Sequence, residues 1–398
     1  MELDDLLRMV VDSAMNLLDA DRATIFLYDA HANELYTQVA EGAKQFRIPI
    51  ETGIAGAAAL SMKIINIPDA YLDDRFNQTI DKKTGYRTRS VLAIPLADYD
   101  GKLVGVLQVL NKRDGIFDEN DEMTAQALSA QAGVALQRAQ LLEERLEKQR
   151  MEDALRVAEQ IQRALLPKTA QQIPGFDIAC FSQACDAIGG DYSDLMLLSD
   201  TRLVVSFGDV AGHGVGPALV SCAARAMLRA LGAIDVMDIE TTMRWVNRLL
   251  TADLPDNRFI TAFFGVLDAN TASLTYCSAG QAPLLWYRND KNTIERRRAG
   301  AIPIGIMDEF PDVEIETVDL APNDLFILLT DGFYEWARAD AEMFGTERVE
   351  QVVLEHRHSS SADILAAIRN SVEAFANTPS KDDLTAIVIK RTATSDRA

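Results

Sequence analysis

Leu203-Val204-Val205-Ser206-Phe207-Gly208-Asp209-Val210-Ala211-Gly212-His213-Gly214 decides how this chain is read. An apolar run of strand character ends in an aspartate set among glycines. Strands apolar on both faces belong to sheets layered by helices. A carboxylate at the buried end of such a strand is costly unless it is paired or holds a metal. Glycine lets the backbone approach an ion closely. Three further segments repeat the arrangement. Gly189-Gly190-Asp191-Tyr192-Ser193-Asp194 lies upstream. Thr330-Asp331-Gly332 follows the apolar run Leu325–Leu329, and Lys381-Asp382-Asp383-Leu384-Thr385 leads into Ala386–Ile389. One Asp-Gly alone reads as a turn. Four such segments from distant points fit a shared oxygen-ligand site for Mg²⁺ or Mn²⁺, since hard divalent ions prefer carboxylate, carbonyl and water ligands.

Working outward, Gly175 to Lys390 reads as strands separated by carboxylate-bearing turns. Ala262–Leu267 and Ser273–Ser278 are further strands, and helices are predicted over about 216–232, 238–253 and 361–376. Ala164-Leu165-Leu166-Pro167, Ala279-Gly280-Gln281-Ala282-Pro283 and Pro303-Ile304-Gly305-Ile306 join the four acidic segments in a fixed order. With them, residues 160–390 resemble the SpoIIE-like branch of the PPM metal-dependent protein serine/threonine phosphatases. The resemblance implies an αββα sandwich with a two-metal site between its sheets. It implies that Asp191 and Asp209 are catalytic metal ligands near the bridging position, followed by the Val210 carbonyl. It implies that Asp331 and Asp382 complete the second metal's ligands, and it leaves the roles of Asp194 and Asp383 open, orienting waters being one. Eukaryotic members carry a His two residues beyond the metal Asp; here that position is Ala211, and His213 stands four residues after Asp209. The general acid is therefore left unassigned between His213 and a coordinated water. The chemistry implied is hydrolysis of phosphoserine or phosphothreonine. Two cations about 3.5–4 Å apart lower the pKa of a bridging water, neutralise the phosphoryl oxygens and align in-line attack. The partner implied is a phosphorylated STAS-domain anti-anti-sigma factor.

Met123 to Leu166 holds no Pro and only one Gly, Gly133, and it ends at Pro167. It is predicted to be one long helix stopped by proline. Ala135, Ala139, Leu142 and Leu146 form an apolar stripe. Met151, Leu155, Ala158 and Leu165 form a second, out of register, across the polar run Glu147-Lys148-Gln149-Arg150. Two readings stand: a helix lying on its own domain, or a dimerising coiled-coil linker with a register break.

Residues 3–19 have helical apolar spacing. The runs Ala23–Tyr28, Glu34–Val39, Phe46–Ile50, Val91–Leu96 and Leu103–Leu110 read as strands. Asn66-Ile67-Pro68-Asp69-Ala70-Tyr71, Asp81-Lys82-Lys83-Thr84-Gly85-Tyr86-Arg87-Thr88, and Asn111-Lys112 with Phe117, Asp121 and Glu122 make residues 1–140 similar to cyclic-nucleotide-binding GAF domains. The resemblance implies a structural salt bridge between Lys112 and Asp121. It implies cAMP or cGMP as ligand, contacted by Asp81, Thr84 and Thr88. Another small ligand and a GAF scaffold without ligand are the alternatives.

The expected architecture is thus α+β with two domains: a GAF domain at 1–140, a helical coiled-coil linker at 141–166, an αββα phosphatase domain at 167–392 and a tail at 393–398. The chain's 60 Asp+Glu against 39 Lys+Arg give a net charge of −21. That argues against nucleic-acid binding, which rests on Lys and Arg displacing counterions, and against anionic membrane surfaces. No apolar stretch is long enough for a transmembrane helix, the acidic start is unlike a secretory signal, and the four cysteines lack metal or disulfide spacing. A cytoplasmic homodimer is expected. Three functions compete: a ligand-regulated phosphatase, a nucleotide sensor acting by contact through a catalytically weak phosphatase domain, and a cyclic-nucleotide phosphodiesterase. The last is disfavoured, because four histidines are too few for its metal cluster.

Overall fold

The protein, seen in a computed structural model, is described over residues 3–37, 47–167, 169–233, 238–254, 258–310 and 313–393, without the side chains of Ile80, Lys83 and Thr84. Val39, Phe46 and the tail from 394 on, all named above, lie outside these residues. The chain divides into two compact units, Met1–Met151 and Glu152–Ala398.

The first unit contains α1 (Leu3–Leu17), β1 (Ala20–Asp29), β2 (Glu34–Thr37), β3 (Arg47–Pro49), α2 (Gly53–Ser61), β4 (Ile65–Ile67), a 3₁₀ turn (Ala70–Leu72), α3 (Thr79–Thr84), β5 (Val91–Ala97) and β6 (Leu103–Lys112). The strands form one antiparallel sheet in the order β3-β2-β1-β6-β5-β4. Alternation along β1 and β6 sends side chains to two cores, one per face. Leu6, Leu7, Val10, Val11 and Ala14 of α1 recur at helical spacing and pack with Ile25, Leu27, Leu107 and Val109. Ile54, Ala55, Ala58 and Ala59 of α2 pack with Phe26, Val91, Ala93 and Val106 on the other face.

Helix α4 runs from Glu119 to Leu165, 47 residues, one unbroken helix as its lack of proline predicts. Ala125, Ala132 and Leu136 are buried in the first core. Beyond them Leu141, Leu142, Leu146, Met151, Val157 and Ile161 are exposed.

The second unit continues with β7 (Phe176–Gln183), β8 (Tyr192–Ser199), β9 (Arg202–Val210), α5 (Val215–Gly232), α6 (Ile239–Asp253), β10 (Ile260–Asp268), β11 (Ser273–Ala279), β12 (Leu284–Arg288), β13 (Thr293–Arg297), β14 (Glu316–Asp319), β15 (Leu325–Leu329), α7 (Gly332–Glu335), α8 (Thr346–His356), α9 (Ser361–Ala376) and β16 (Leu384–Arg391). They make two five-stranded sheets, β14-β11-β10-β9-β8 and β13-β12-β15-β16-β7. Val205, Phe207 and Phe263 of one sheet meet Trp286, Phe326, Leu328 and Ile387 of the other. Leu228 of α5 and Val246 and Leu250 of α6 cover the outer face of the first sheet. Val349 and Val353 of α8 and Ile364 and Ile368 of α9 cover the second. Every central strand is therefore apolar on both faces, and the order of layers is α, β, β, α.

This topology explains why the acidic segments meet. β8 runs antiparallel to β9, with Tyr192 opposite Gly208, so the start of β8 and the end of β9 share one end of their sheet. β15 and β16 do the same in the other sheet, with Leu329 opposite Ala386.

Candidate functional site

Asp191 is buried just before β8, and its Oδ2 accepts a hydrogen bond from Thr330 Oγ1 at 2.9 Å. That bond links the two sheets at their acidic end. Burial, with the charges of Asp209 and Asp383, holds the Asp191 carboxyl well above the usual carboxylate range. Asp209, in the last turn of strand β9, is pushed up to about 7 by burial and by the charges of Asp331 and Asp382. Asp382 is raised by burial and by Asp331 and Asp383, against the pull of a backbone hydrogen bond. Asp331 is exposed at the start of α7. Val210 is fully buried, and a Cβ on Gly190 would come within 3.0 Å of its carbonyl oxygen. Glycine at 190 is what lets that backbone approach.

The four aspartates and the Val210 carbonyl thus lie at the same end of the two sheets. Among the described residues no three such side chains are already drawn to one coordinating point. What the fold supplies is a set of mutually repelling, partly desolvated carboxylates beside a buried carbonyl. That donor chemistry fits a hard divalent cation, which removes the repulsion by sitting between them.

Asp383 and Asp194 are each held by protein groups. Asp383 Oδ1 accepts from Cys185 N at 2.8 Å, and Oδ2 accepts from Gly190 N at 2.6 Å and Asp191 N at 3.3 Å. It is an anionic clamp on the loop that carries Asp191. Asp194 faces α5, where Arg225 and Arg229 reach it at 3.3 and 2.8 Å. His213 is largely exposed, with Nδ1 3.0 Å from Asp186 Oδ2.

Three further side chains, none of them expected as a ligand, tie the site together. Gln281 accepts from Thr261 Oγ1 at 2.9 Å and donates to the Leu329 carbonyl at 3.0 Å, pinning the strand opposite Asp209 to the strand before Asp331. Thr330 bonds Asp191. Gln162, in the last turns of α4, donates to Gly189 O and accepts from Gly189 N. A cavity of about 690 Å³ opens there, lined by Glu159, Gln162, Arg163, Ser182, Asp191 and Asp383.

In the first unit, Lys112 Nζ lies 2.6 Å from Asp121 Oδ1, the salt bridge expected there. Asn111 accepts from the Arg89 and Ser90 amides and donates to Tyr86 Oη and the Arg87 carbonyl. Phe117 is buried, and Glu122 accepts from Asn66. Asn111, Lys112, Phe117, Asp121 and Glu122 thus fix the 86–90 segment and the start of α4. Asp81 and Thr88 are buried and bonded to each other: Thr88 N and Oγ1 donate to the Asp81 carboxylate at 2.7 and 2.8 Å, and Tyr71 Oη adds a third bond. A ligand contacting either must share that network. The Thr84 side chain lies outside the described residues.

Residues 199–392 match the family model "Stage II sporulation protein E (SpoIIE)", and residues 2–136 match the GAF domain model. The chain joins a GAF domain to a SpoIIE domain. In fold, the SpoIIE domain is similar to the SiaA-PP2C domain of Pseudomonas aeruginosa (TM-score 0.54, 22% identity, covering 62% of this chain and 98% of that one). That similarity fits the αββα order of layers. By sequence, the chain is 35% identical over 153 residues to a probable 3',5'-cyclic phosphodiesterase of Caenorhabditis elegans. It is 36% identical over 162 residues to the dual 3',5'-cyclic-AMP and -GMP phosphodiesterase 11 of Drosophila melanogaster. These stretches are 35% and 36% of this chain but only 21% and 11% of the relatives' own lengths. No helix among the described residues is long and apolar enough to cross a membrane.

Proposed function

We propose that the protein is a ligand-regulated, metal-dependent protein serine/threonine phosphatase. The observation that carries this is the placement of Asp191, Asp209, Asp331 and Asp382 at the shared end of two sheets, where burial and neighbouring carboxylates hold Asp191 and Asp209 above the ordinary carboxylate range. Together with the Val210 carbonyl they would hold two Mn²⁺ or Mg²⁺ ions. Such ions supply positive charge for a phosphoryl group and lower the pKa of a coordinated water. Thr330 and the Asp383 clamp orient Asp191, and Gln281 keeps the strands bearing Asp209 and Asp331 in step. The substrate class is a phosphoserine or phosphothreonine protein such as a STAS-domain anti-anti-sigma factor. The test is hydrolysis of p-nitrophenyl phosphate and of a phosphoserine protein with and without Mn²⁺. Absence of metal-dependent turnover on both would leave the contact-sensor reading.

The GAF domain is proposed to bind a cyclic nucleotide, since relatives over this region are named as cyclic-nucleotide phosphodiesterases and the Asn111–Glu122 scaffold is intact. Calorimetric titration of the full chain with cAMP and cGMP tests it; no heat with either at high micromolar protein rejects it. Coupling is proposed to pass along α4 in a parallel homodimer, whose two apolar stripes allow two registers. A ligand shifts that balance only if it binds the two states unequally. Leu155→Asp should then leave both sites but uncouple ligand from phosphatase rate, read with light scattering for oligomeric state.

A further inference from the structure

Arg258 stands just ahead of β10, three positions before Thr261, the residue paired with Asp209. Ile260 pairs with Val210 and Thr261 with Asp209, and the Phe259 carbonyl accepts from Ala211 N at 3.0 Å. Its chain position is thus fixed against the turn that follows Asp209. The side chain reaches the first turn of α5. Its Nη1 and Nη2 lie 3.1 Å from where a Cβ on Gly216 would stand, so a side chain at 216 would displace the guanidinium. Nη1 is buried and meets no acceptor, and among the described residues no carboxylate pairs with this side chain.

That isolation contrasts with four arginines of the same unit. Carboxylates outnumber cationic side chains 60 to 39. Arg225, Arg229, Arg244 and Arg296 of the same unit are all ion-paired. A guanidinium is a planar fork of donors suited to two oxygens of one anion, and a buried N–H without an acceptor is costly. The neighbours leave room for an incoming group: Phe259 and Val215 are 38% and 48% exposed.

We propose that Arg258 is a phosphate-contacting residue that takes oxygens of the substrate's phosphoryl group beside the acidic cluster. This rests on the phosphatase reading above. Arg258 supplies the charge that the four aspartates lack, and it does so without being a metal ligand. An ordinary phosphomonoester dianion is the ligand class; the oxygens of inorganic phosphate offer the same chemistry.

The test uses the full chain. Wild type, Arg258→Ala, Arg258→Gln and Arg258→Lys are compared for kcat and KM on p-nitrophenyl phosphate with saturating Mn²⁺. Calorimetry then measures Mn²⁺ binding, and inorganic phosphate binding to the Mn²⁺-loaded protein. The expected result is that Arg258→Ala and Arg258→Gln weaken phosphate binding and raise KM about tenfold, with Arg258→Lys recovering part of the loss. Mn²⁺ affinity should stay within about twofold of wild type. Unchanged phosphate affinity and KM in either neutral variant overturns the proposal. So does a parallel loss of Mn²⁺ affinity, which would make Arg258 a support for the metal ligands. If Arg258→Ala fails to fold, Arg258→Gln decides. A wild type that binds phosphate through Arg258 but turns over no phosphomonoester would sink the phosphatase reading and spare this one.

Discussion

The side chain of Gln162 and the backbone of Gly189 exchange two hydrogen bonds: Nε2 donates to the Gly189 oxygen at 2.6 Å, and the Gly189 amide donates to Oε1 at 3.0 Å. A side-chain amide used in this way mimics a neighbouring strand. It fastens the last turns of α4 to the loop that carries Asp191, in a half-buried setting where water competes poorly for either bond.

Gln162→Ala should therefore loosen Asp191 without touching a ligand. Each lost bond is worth about 1 kcal/mol. We expect kcat/KM on p-nitrophenyl phosphate to fall about tenfold and the Mn²⁺ requirement to rise, with an unchanged circular dichroism spectrum. Wild-type Mn²⁺ dependence in the variant would show that the bonds serve only to dock the helix.

Asp209→Asn and Asp331→Asn should each reduce Mn²⁺-dependent turnover by about 100-fold or more, because each removes a ligand charge and weakens activation of water. The metal-free Asp209→Asn protein should melt no lower than wild type, since a repelling charge has gone. Turnover at saturating Mn²⁺ and melting in EDTA read the two effects separately.

Asp209 also sets a pH dependence. Its folded pKa is about 7 against an ordinary 3.8. The folded state thus holds a proton that the unfolded chain releases. The stabilisation from this group is complete below about pH 4 and is lost as pH rises through about 7. Metal-free protein should melt at a lower temperature at pH 8 than at pH 6, and Asp209→Asn should flatten that difference. Added Mn²⁺ should raise the melting temperature more at pH 8, where the carboxylates are free of protons. Scanning fluorimetry in four buffers, with EDTA or Mn²⁺ at each pH, measures all of it.

Asp194 gives a contrasting expectation. It is buried between Arg225, itself 9% exposed, and Arg229. Asp194→Ala leaves a buried guanidinium unpaired, which costs about 3–5 kcal/mol. Chemical denaturation should show that loss, while Mn²⁺ affinity of the remaining folded protein stays near wild type. A selective loss of Mn²⁺ binding would instead make Asp194 a ligand.

The readable parts of the fold were those with a local pattern. Apolar runs marked β9, β10, β15 and β16, the acidic turns marked their ends, and the missing prolines marked α4. β13 and β14 carried mixed patterns at sheet edges, such as the exposed and half-exposed positions of Thr293–Arg297. The site divided in the same way. The aspartates could be named because carboxylate beside glycine at a strand end has one cheap explanation. The partners of their supports could not. Asp383 stood out as an acidic residue and Gln281 within a motif, but Asp383 meets the Cys185 amide across 198 residues, and Gln281 meets Leu329 across 48. A glutamine or threonine has no sequence context that says which distant backbone it will bind. Asp81 and Thr88 show the converse: their types suit a ligand, yet they satisfy one another.

The Asp383 clamp has a consequence for how the protein is made. The loop holding Asp191 is gripped by a residue 192 positions later, at the mouth of β16, which lies between β15 and β7 in its sheet. While the ribosome is still adding residues before Asp382, the amides of Gly190 and Asp191 have no anion to meet, and the second sheet has a gap between β15 and β7. A nascent chain can complete its GAF domain long before this point. The acidic centre comes together only after β16 has emerged, so truncated translation products would carry a finished sensor and no working hydrolytic site.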